Sequence, residues 1–265
     1  MPVIYKISAP ELVQFLGFAG DPGEAEKFEG FEAAPGAPLP GRLLEFLKTA
    51  AGNPLLHGID LWTEPRWYGT LYGEMDGQID SDLDDWIECP PEDGREISLY
   101  EFSQLPHTQW PKLLPDRLLI GRDDCGVITY GIRTDALAAD EPTVEWNRET
   151  DPLSVWQADW PLSDFLLASV CDALFGRPSD IAEDLLSDAG WHFTWHPNGT
   201  KALDAFGIDP AQLHHFHSLY PRSDEQETSL ACCIADGELC LIETVGKSRA
   251  MLVLSRELPV PPQTA

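Results

Sequence analysis

The chain has 265 residues, 17 Lys or Arg and 45 Asp or Glu, for a formal charge of −28 at pH 7. Area scaling gives a folded surface of roughly 11,500 Å², enough burial to build a core without disulfides or a metal, and the excess charge then amounts to about one negative charge per ~410 Å². Such a surface excludes general nucleic-acid binding and attachment to anionic membranes, because both need clustered Lys and Arg. With 43% hydrophobic residues and nine Trp, the chain is also too apolar for intrinsic disorder.

Near the N-terminus, Met1-Pro2-Val3-Ile4-Tyr5-Lys6 leads into no apolar run of signal-peptide length, and no stretch of about 18 apolar residues follows anywhere. The expected location is the cytoplasm. There the six cysteines, at 89, 125, 171, 232, 233 and 240, read as small buried hydrophobes. Ser8 and Glu11 form a capping box for a first helix, whose face of Leu12, Val13, Phe15, Leu16 and Ala19 runs out at Gly17 and Gly20. Residues 21–38 read as a loop rich in Gly, Pro and Glu. A second helix starts at Leu39-Pro40 and places Leu39, Leu43, Phe46, Leu47 and Ala50 on one face, ending at Gly52-Asn53-Pro54.

Turn dipeptides, Trp and acidic residues interrupt every period from 55 to 116, so short strands and loops are expected there. Leu118-Leu119-Ile120-Gly121 and Val127–Ile132 read as strands around the turn Asp123-Asp124-Cys125-Gly126, and Thr143–Asn147 alternates like a half-buried strand. Leu162, Phe165, Leu166, Val170, Ala173 and Leu174 mark a long helix that Gly176 and Pro178 stop. Further on, Ser179 can cap a helix burying Ile181, Leu185 and Leu186, and Asp209-Pro210 can open another carrying Leu213 and Phe216. Asp236-Gly237 joins strands 230–235 and 238–245, and a turn at Gly246-Lys247 leads to a third strand over 250–254.

Several motifs point toward chemistry and fall short of it. Gly246-Lys247-Ser248 lacks the first glycine of a phosphate loop, since position 241 is Leu241, and strand rather than helix follows it. His192 and His196, and His214, His215 and His217, have zinc-compatible spacings but no supporting HExxH or Cys-pair frame. Cys125 lies among carboxylates that disfavour its thiolate, and no G-x-S-x-G elbow occurs. These motifs therefore supply no catalytic residue, metal site or cofactor.

The densest feature is acidic. Residues 74–101 hold eleven Asp or Glu against the single Arg95, with Asp80, Asp82, Asp84, Asp85 and Glu88 at its centre. EF-hand spacing fails, because Asp85 stands where Gly is needed and Pro91 where Glu belongs. A solvated loop, a docking face and a metal site all remain open, and Leu83 and Trp86 among the carboxylates favour docking. The expected partner-binding residues are Asp80, Asp82, Asp84, Asp85, Trp86 and Glu88.

The order Leu39-Pro40, then Leu119-Ile120-Gly121-Arg122-Asp123-Asp124-Cys125-Gly126-Val127-Ile128-Thr129-Tyr130, then Pro142-Thr143-Val144-Glu145-Trp146, then Leu162-Ser163-Asp164-Phe165-Leu166 resembles the SUKH superfamily, the Smi/Knr-like proteins. Members show an L-P helix start, a strand of the form i-G-x-D-x-x-G-x-x-Y, a short P-x-V-y strand and a closing s-F-x-x-F-L helix. The likeness covers about residues 39 to 175, with a long insertion before Gly121 and with Ala158-Asp159-Trp160-Pro161 in place of the usual lead into the last helix. It implies an α+β fold, a SUKH-like mixed or antiparallel sheet flanked by helices, over 39–175. The helix and loop read over 1–38 precede it, and residues 176–265, outside the likeness, add a C-terminal extension of helices and a three-stranded meander, either within the same globule or as a second lobe. It also implies a binding module rather than an enzyme: bacterial members are immunity proteins that neutralise a cognate toxin, often a nuclease or deaminase, and fungal relatives are scaffolds in cell-wall signalling. The charge favours a basic protein toxin as partner. A scaffold or regulator of the Smi/Knr type and a metal-dependent hydrolase are the competing classes.

Overall fold

Ser8 and Glu11 cap each other reciprocally, the Glu11 amide donating to Ser8 Oγ and the Ser8 amide to Glu11 Oε2 at 2.8 Å, and helix α1 (Ala9–Phe15) starts from that exchange. This geometry comes from a computed structural model that describes residues 2–17, 21–28, 30–34, 37–53, 69–73, 86–88, 96–122, 128–147, 156–175, 180–219 and 228–256. The stretch expected as loop after α1 contains more order than its composition implies. Asp21 caps α2 (Pro22–Ala25) by accepting from the Gly23 amide, a 3₁₀ turn at Glu26–Phe28 buries Phe28, and β1 (Glu32–Ala34) pairs with β2 (Ala37–Pro38). Local capping, which a count of Gly and Pro does not register, makes the difference.

Helix α3 (Gly41–Ala50) follows the predicted period and buries Leu43, Phe46, Leu47 and Ala50. Then come β3 (Gly69–Thr70), β4 (Trp86–Glu88), β5 (Glu96–Ser98), α4 (Leu99–Ser103) and α5 (Trp110–Leu113). The two helices correct the expectation of strands and loops alone over 55–116. A second capping box, Ser98 with Glu101, starts α4, and burial of Phe102 and Trp110 holds both. Strands β6 (Arg117–Arg122), β7 (Thr129–Arg133) and β8 (Thr143–Asn147) lie where the sequence places them, and the turn at 123–126 lies outside the described residues. Strand β9 (Gln157–Pro161) then precedes the expected long helix, α6 (Leu162–Phe175).

Past α6 the order is α7 (Asp180–Asp188), β10 (Trp191–His196), α8 (Gly199–Ala205), β11 (Phe216–His217), β12 (Thr228–Ala235), β13 (Glu238–Val245) and β14 (Ser248–Arg256). Asp209-Pro210 opens only a 3₁₀ turn, Pro210–Gln212, although Asp209 caps it as expected, and Phe216 joins a strand instead of a helix. The Asp236-Gly237 turn has both residues at positive φ, 53° and 85°, which a two-residue hairpin with native twist requires and which a β-branched residue would oppose. The fold is α+β, with two five-stranded antiparallel sheets flanked by helices.

The chain divides into two compact units. The central unit comprises Asp21–Ala51 and Ile59–Leu162, and the terminal unit Met1–Gly20, Gly52–Gly58 and Ser163–Ala265. This division cuts across the segments 1–38, 39–175 and 176–265: α1 and nearly all of α6 belong with the C-terminal strands.

In the central unit the sheet runs β3-β6-β7-β8-β9. Strand β6 is buried along Arg117–Gly121, as a strand covered on both faces must be. Leu119 joins Leu71, Ile97, Phe102, Trp110, Leu113 and Leu114 in one apolar cluster. In the terminal unit the order is β10-β14-β13-β12-β11. Ala231, Cys233, Cys240, Ile242, Met251 and Val253 on one face pack with Ala202, Leu203, Ile208 and Leu213. Trp191 on the edge strand donates its indole N–H to the Leu16 carbonyl at 2.9 Å and lies under the Arg256 guanidinium, tying α1 to the sheet. Among the described residues, no helix is long and apolar enough to cross a membrane.

Candidate partner-binding site

The acidic stretch is built on an antiparallel ribbon. Strand β4 pairs with β5 in the register Trp86↔Ser98, Ile87↔Ile97 and Glu88↔Glu96. Glu88 and Glu96 are thus register partners at the end of the ribbon. Of the expected site residues, Trp86 and Glu88 lie on β4, while Asp80, Asp82, Asp84 and Asp85 lie outside the described residues.

What fixes the ribbon is apolar. Ile97 is 7% exposed and anchors β5 in the cluster of Leu71, Phe102, Trp110, Leu113, Leu114 and Leu119. Trp110 is its hub: Phe102, Tyr72 and His107 rings approach it to 4.7, 5.1 and 4.5 Å, and its indole N–H donates to the Leu105 carbonyl. Tyr72 reaches across to donate its hydroxyl to the Leu114 carbonyl at 2.6 Å, and its amide donates to Asp116 at 3.1 Å. Burial pushes the Asp116 carboxyl above the usual carboxylate range, with the Tyr72 amide pulling it down less strongly.

On this base Glu96 and Glu101 are exposed, and Tyr100, 52% exposed, stands between them in sequence on α4. An aromatic flanked by exposed carboxylates is a composition that recognition surfaces favour. Tyr100 and Glu96 were not among the expected site residues. The Ser98–Glu101 capping box was the available signal, since it places Tyr100 and Glu101 on the first turn of a helix that buries Phe102.

Elsewhere the chemistry-bearing residues disperse. His192 and His196 lie on β10, and His214 Nε2 is 2.7 Å from Asp164 Oδ1 as an exposed pair in the terminal unit. Among the described residues, no three His, Cys, Asp or Glu side chains converge to hold a metal ion. Cys171, Cys232, Cys233 and Cys240 are buried free thiols. The hydrogen bond with Cys232 and burial push the Cys171 thiol well up, and a hydrogen bond with Cys233 and burial do the same to Cys240, so neither is an activated nucleophile. Cys89 and Cys125 lie outside the described residues. Gly246-Lys247 is the turn between β13 and β14, and the chain continues from it as strand.

Compared with known proteins, the chain matches no family model, no curated protein and no solved structure.

Proposed function

We propose that the chain is a non-catalytic binding protein of the Smi/Knr type, an immunity protein that acts in the cytoplasm by covering the active cleft of a basic toxin. A toxin that handles nucleic acid needs a positive groove to hold phosphates. A partner at −28 presents the opposite field, which speeds encounter, while backbone geometry and aromatic anchors set specificity. The observation that carries the reading is the group of exposed Glu96, Tyr100 and Glu101 around the buried Ile97 and Phe102, inside a stretch of eleven carboxylates and one arginine. An exposed aromatic among carboxylates suits a cationic surface laid against it.

The test starts from a basic protein captured by the full chain from its native cells and identified by mass spectrometry. Association with that protein is then followed for the wild type and for a variant carrying Asp80→Asn, Asp82→Asn, Asp84→Asn and Asp85→Asn. The expected result is a wild-type on-rate that falls steeply from low to physiological salt, and a variant about tenfold slower at low salt. An unchanged on-rate, or an acidic captured partner, overturns the proposal.

A further inference from the structure

Across the sheet of the terminal unit the register aligns four polar residues. His217 on β11 lies opposite Ser229 on β12, Ser229 opposite Thr244 on β13, and Thr244 opposite Arg249 on β14. Residues directly opposite in antiparallel strands share a face, so four strands contribute one row. The next positions inward on that face are Ala231, Ile242 and Met251, all part of the apolar cluster, so the row is the polar border of a core. It holds an imidazole, two hydroxyls and a guanidinium, and no carboxylate.

Two atoms in this row donate to nothing. Arg249 Nε and Thr244 Oγ1 are both shielded from solvent without a hydrogen-bond partner. In a chain with 45 acidic residues, Arg249 makes no ion pair among the described residues. A buried donor left unpaired is costly and calls for an acceptor that the described chain does not supply. The position of the arginine is also enforced. A Cβ on Gly199, the first residue of α8, would lie 2.9 Å from Arg249 Cγ and 3.0 Å from the Arg249 and Ala250 carbonyl carbons, so α8 can start against the arginine stem only because residue 199 is glycine. His215 completes the surroundings: burial, and then the charge of Arg249, lower its pKa.

We propose that this row is a binding site for a tetrahedral oxyanion of the phosphate class, held by Arg249, Thr244 and Ser229 and flanked by His215 and His217. A carboxylate offers two oxygens in one plane, whereas donors arriving from separate strands are better matched by oxygens arranged tetrahedrally. The site lies in the unit that does not carry the acidic ribbon, and it holds whether or not the proposed toxin partner exists. Its natural occupant is either free phosphate or a phosphomonoester on a larger molecule.

The experiment is a calorimetric titration of the full chain at constant ionic strength with inorganic phosphate, phenyl phosphate, sulfate, acetate and chloride. Saturable binding of phosphate, or of phenyl phosphate alone, supports the site, and the stronger of the two identifies the source. Sulfate binding as phosphate does also supports it. Arg249→Met and Thr244→Val should each weaken binding about tenfold or more, the loss expected for one charge-assisted or buried hydrogen bond. Acetate or chloride matching phosphate, no saturable binding, or full retention in Arg249→Met overturns the proposal. Should Arg249→Met fail to fold, the imidazole proton resonances of wild-type His215 and His217 decide: a bound dianion raises both titration midpoints, and unmoved midpoints at saturating phosphate overturn it.

Discussion

The two five-stranded sheets hold together by different means. In the terminal unit, β12, β13 and β14 run eight, eight and nine residues, joined by two-residue turns and paired without a register shift, and aliphatic side chains and thiols form the centre of one face. In the central unit the strands are shorter, and register shifts interrupt the β6–β7 pairing between Leu119 and Gly121 and the β8–β9 pairing between Val144 and Glu145. Polar contacts then carry more of the specificity. Arg117, 7% exposed in its side chain, meets Glu145 at 2.7 Å, donates to the Pro115 carbonyl at 2.6 Å and lies over the Trp156 ring, while Trp146 donates to Asp159. A regular sheet draws stability from apolar area, which tolerates small changes. An irregular one depends on a few contacts, and here it is the irregular sheet whose Leu119 shares an apolar cluster with Ile97 of the acidic ribbon.

The contrast can be broken most forcefully at the buried ion pair. Glu145→Ala leaves the Arg117 guanidinium uncompensated and should lower the free energy of denaturation by about 3 to 5 kcal/mol, whereas Ile242→Val in the regular sheet should cost only about 1 kcal/mol. Urea denaturation of both variants checks this, and equal losses would erase the distinction. A smaller effect concerns pH. The Asp116 carboxyl is raised, so the folded chain holds that proton more tightly than the unfolded chain does. Its contribution is therefore most favourable below the ordinary carboxylate pKa and is lost as pH rises through the folded value. Asp116→Asn, which can still accept from the Tyr72 amide, should flatten the stability profile across that acidic window, as urea midpoints measured at stepped pH would reveal. Smallest is Glu96→Gln, which removes one exposed carboxylate from the ribbon. The stability of the free chain should change by no more than about 0.5 kcal/mol while association with a basic partner slows, and a variant that loses both stability and on-rate would contradict the role assigned to the ribbon.

Much of this architecture is legible before folding, where a local signal and the tertiary environment agree. Period places α3 and α6, the reciprocal cap of Ser8 and Glu11 places α1, and Asp236-Gly237 places the hairpin of β12 and β13. Strand β9 escapes notice because Gln157, Ala158 and Asp159 are exposed and Pro161 ends it, leaving Trp160 as its one buried side chain and no alternation to read. Helix α8 escapes because its seven residues open on Gly199 and are too few to show an apolar period, although Asn198 caps it by accepting from the Lys201 amide. The acidic character of the candidate site is plain in composition, but the meeting of Glu88 with Glu96 depends on a register set by pairing across residues 89–95 and by the burial of Ile97. The polar row ending at Arg249 is likewise a product of register, because its members are spread from position 217 to position 249 and align only when four strands pair.

Cys232 and Cys233 are neighbours in β12, so strand alternation puts their thiols on opposite sides of the sheet, one hydrogen-bonded to Cys171 of α6 and the other to Cys240 of β13. Each side thereby carries a chemical reporter that stays silent while its layer is closed. Timed alkylation of the native chain, read peptide by peptide, would show whether the helix lifts off one side before the hairpin opens on the other, resolving the order of local openings without any engineered label.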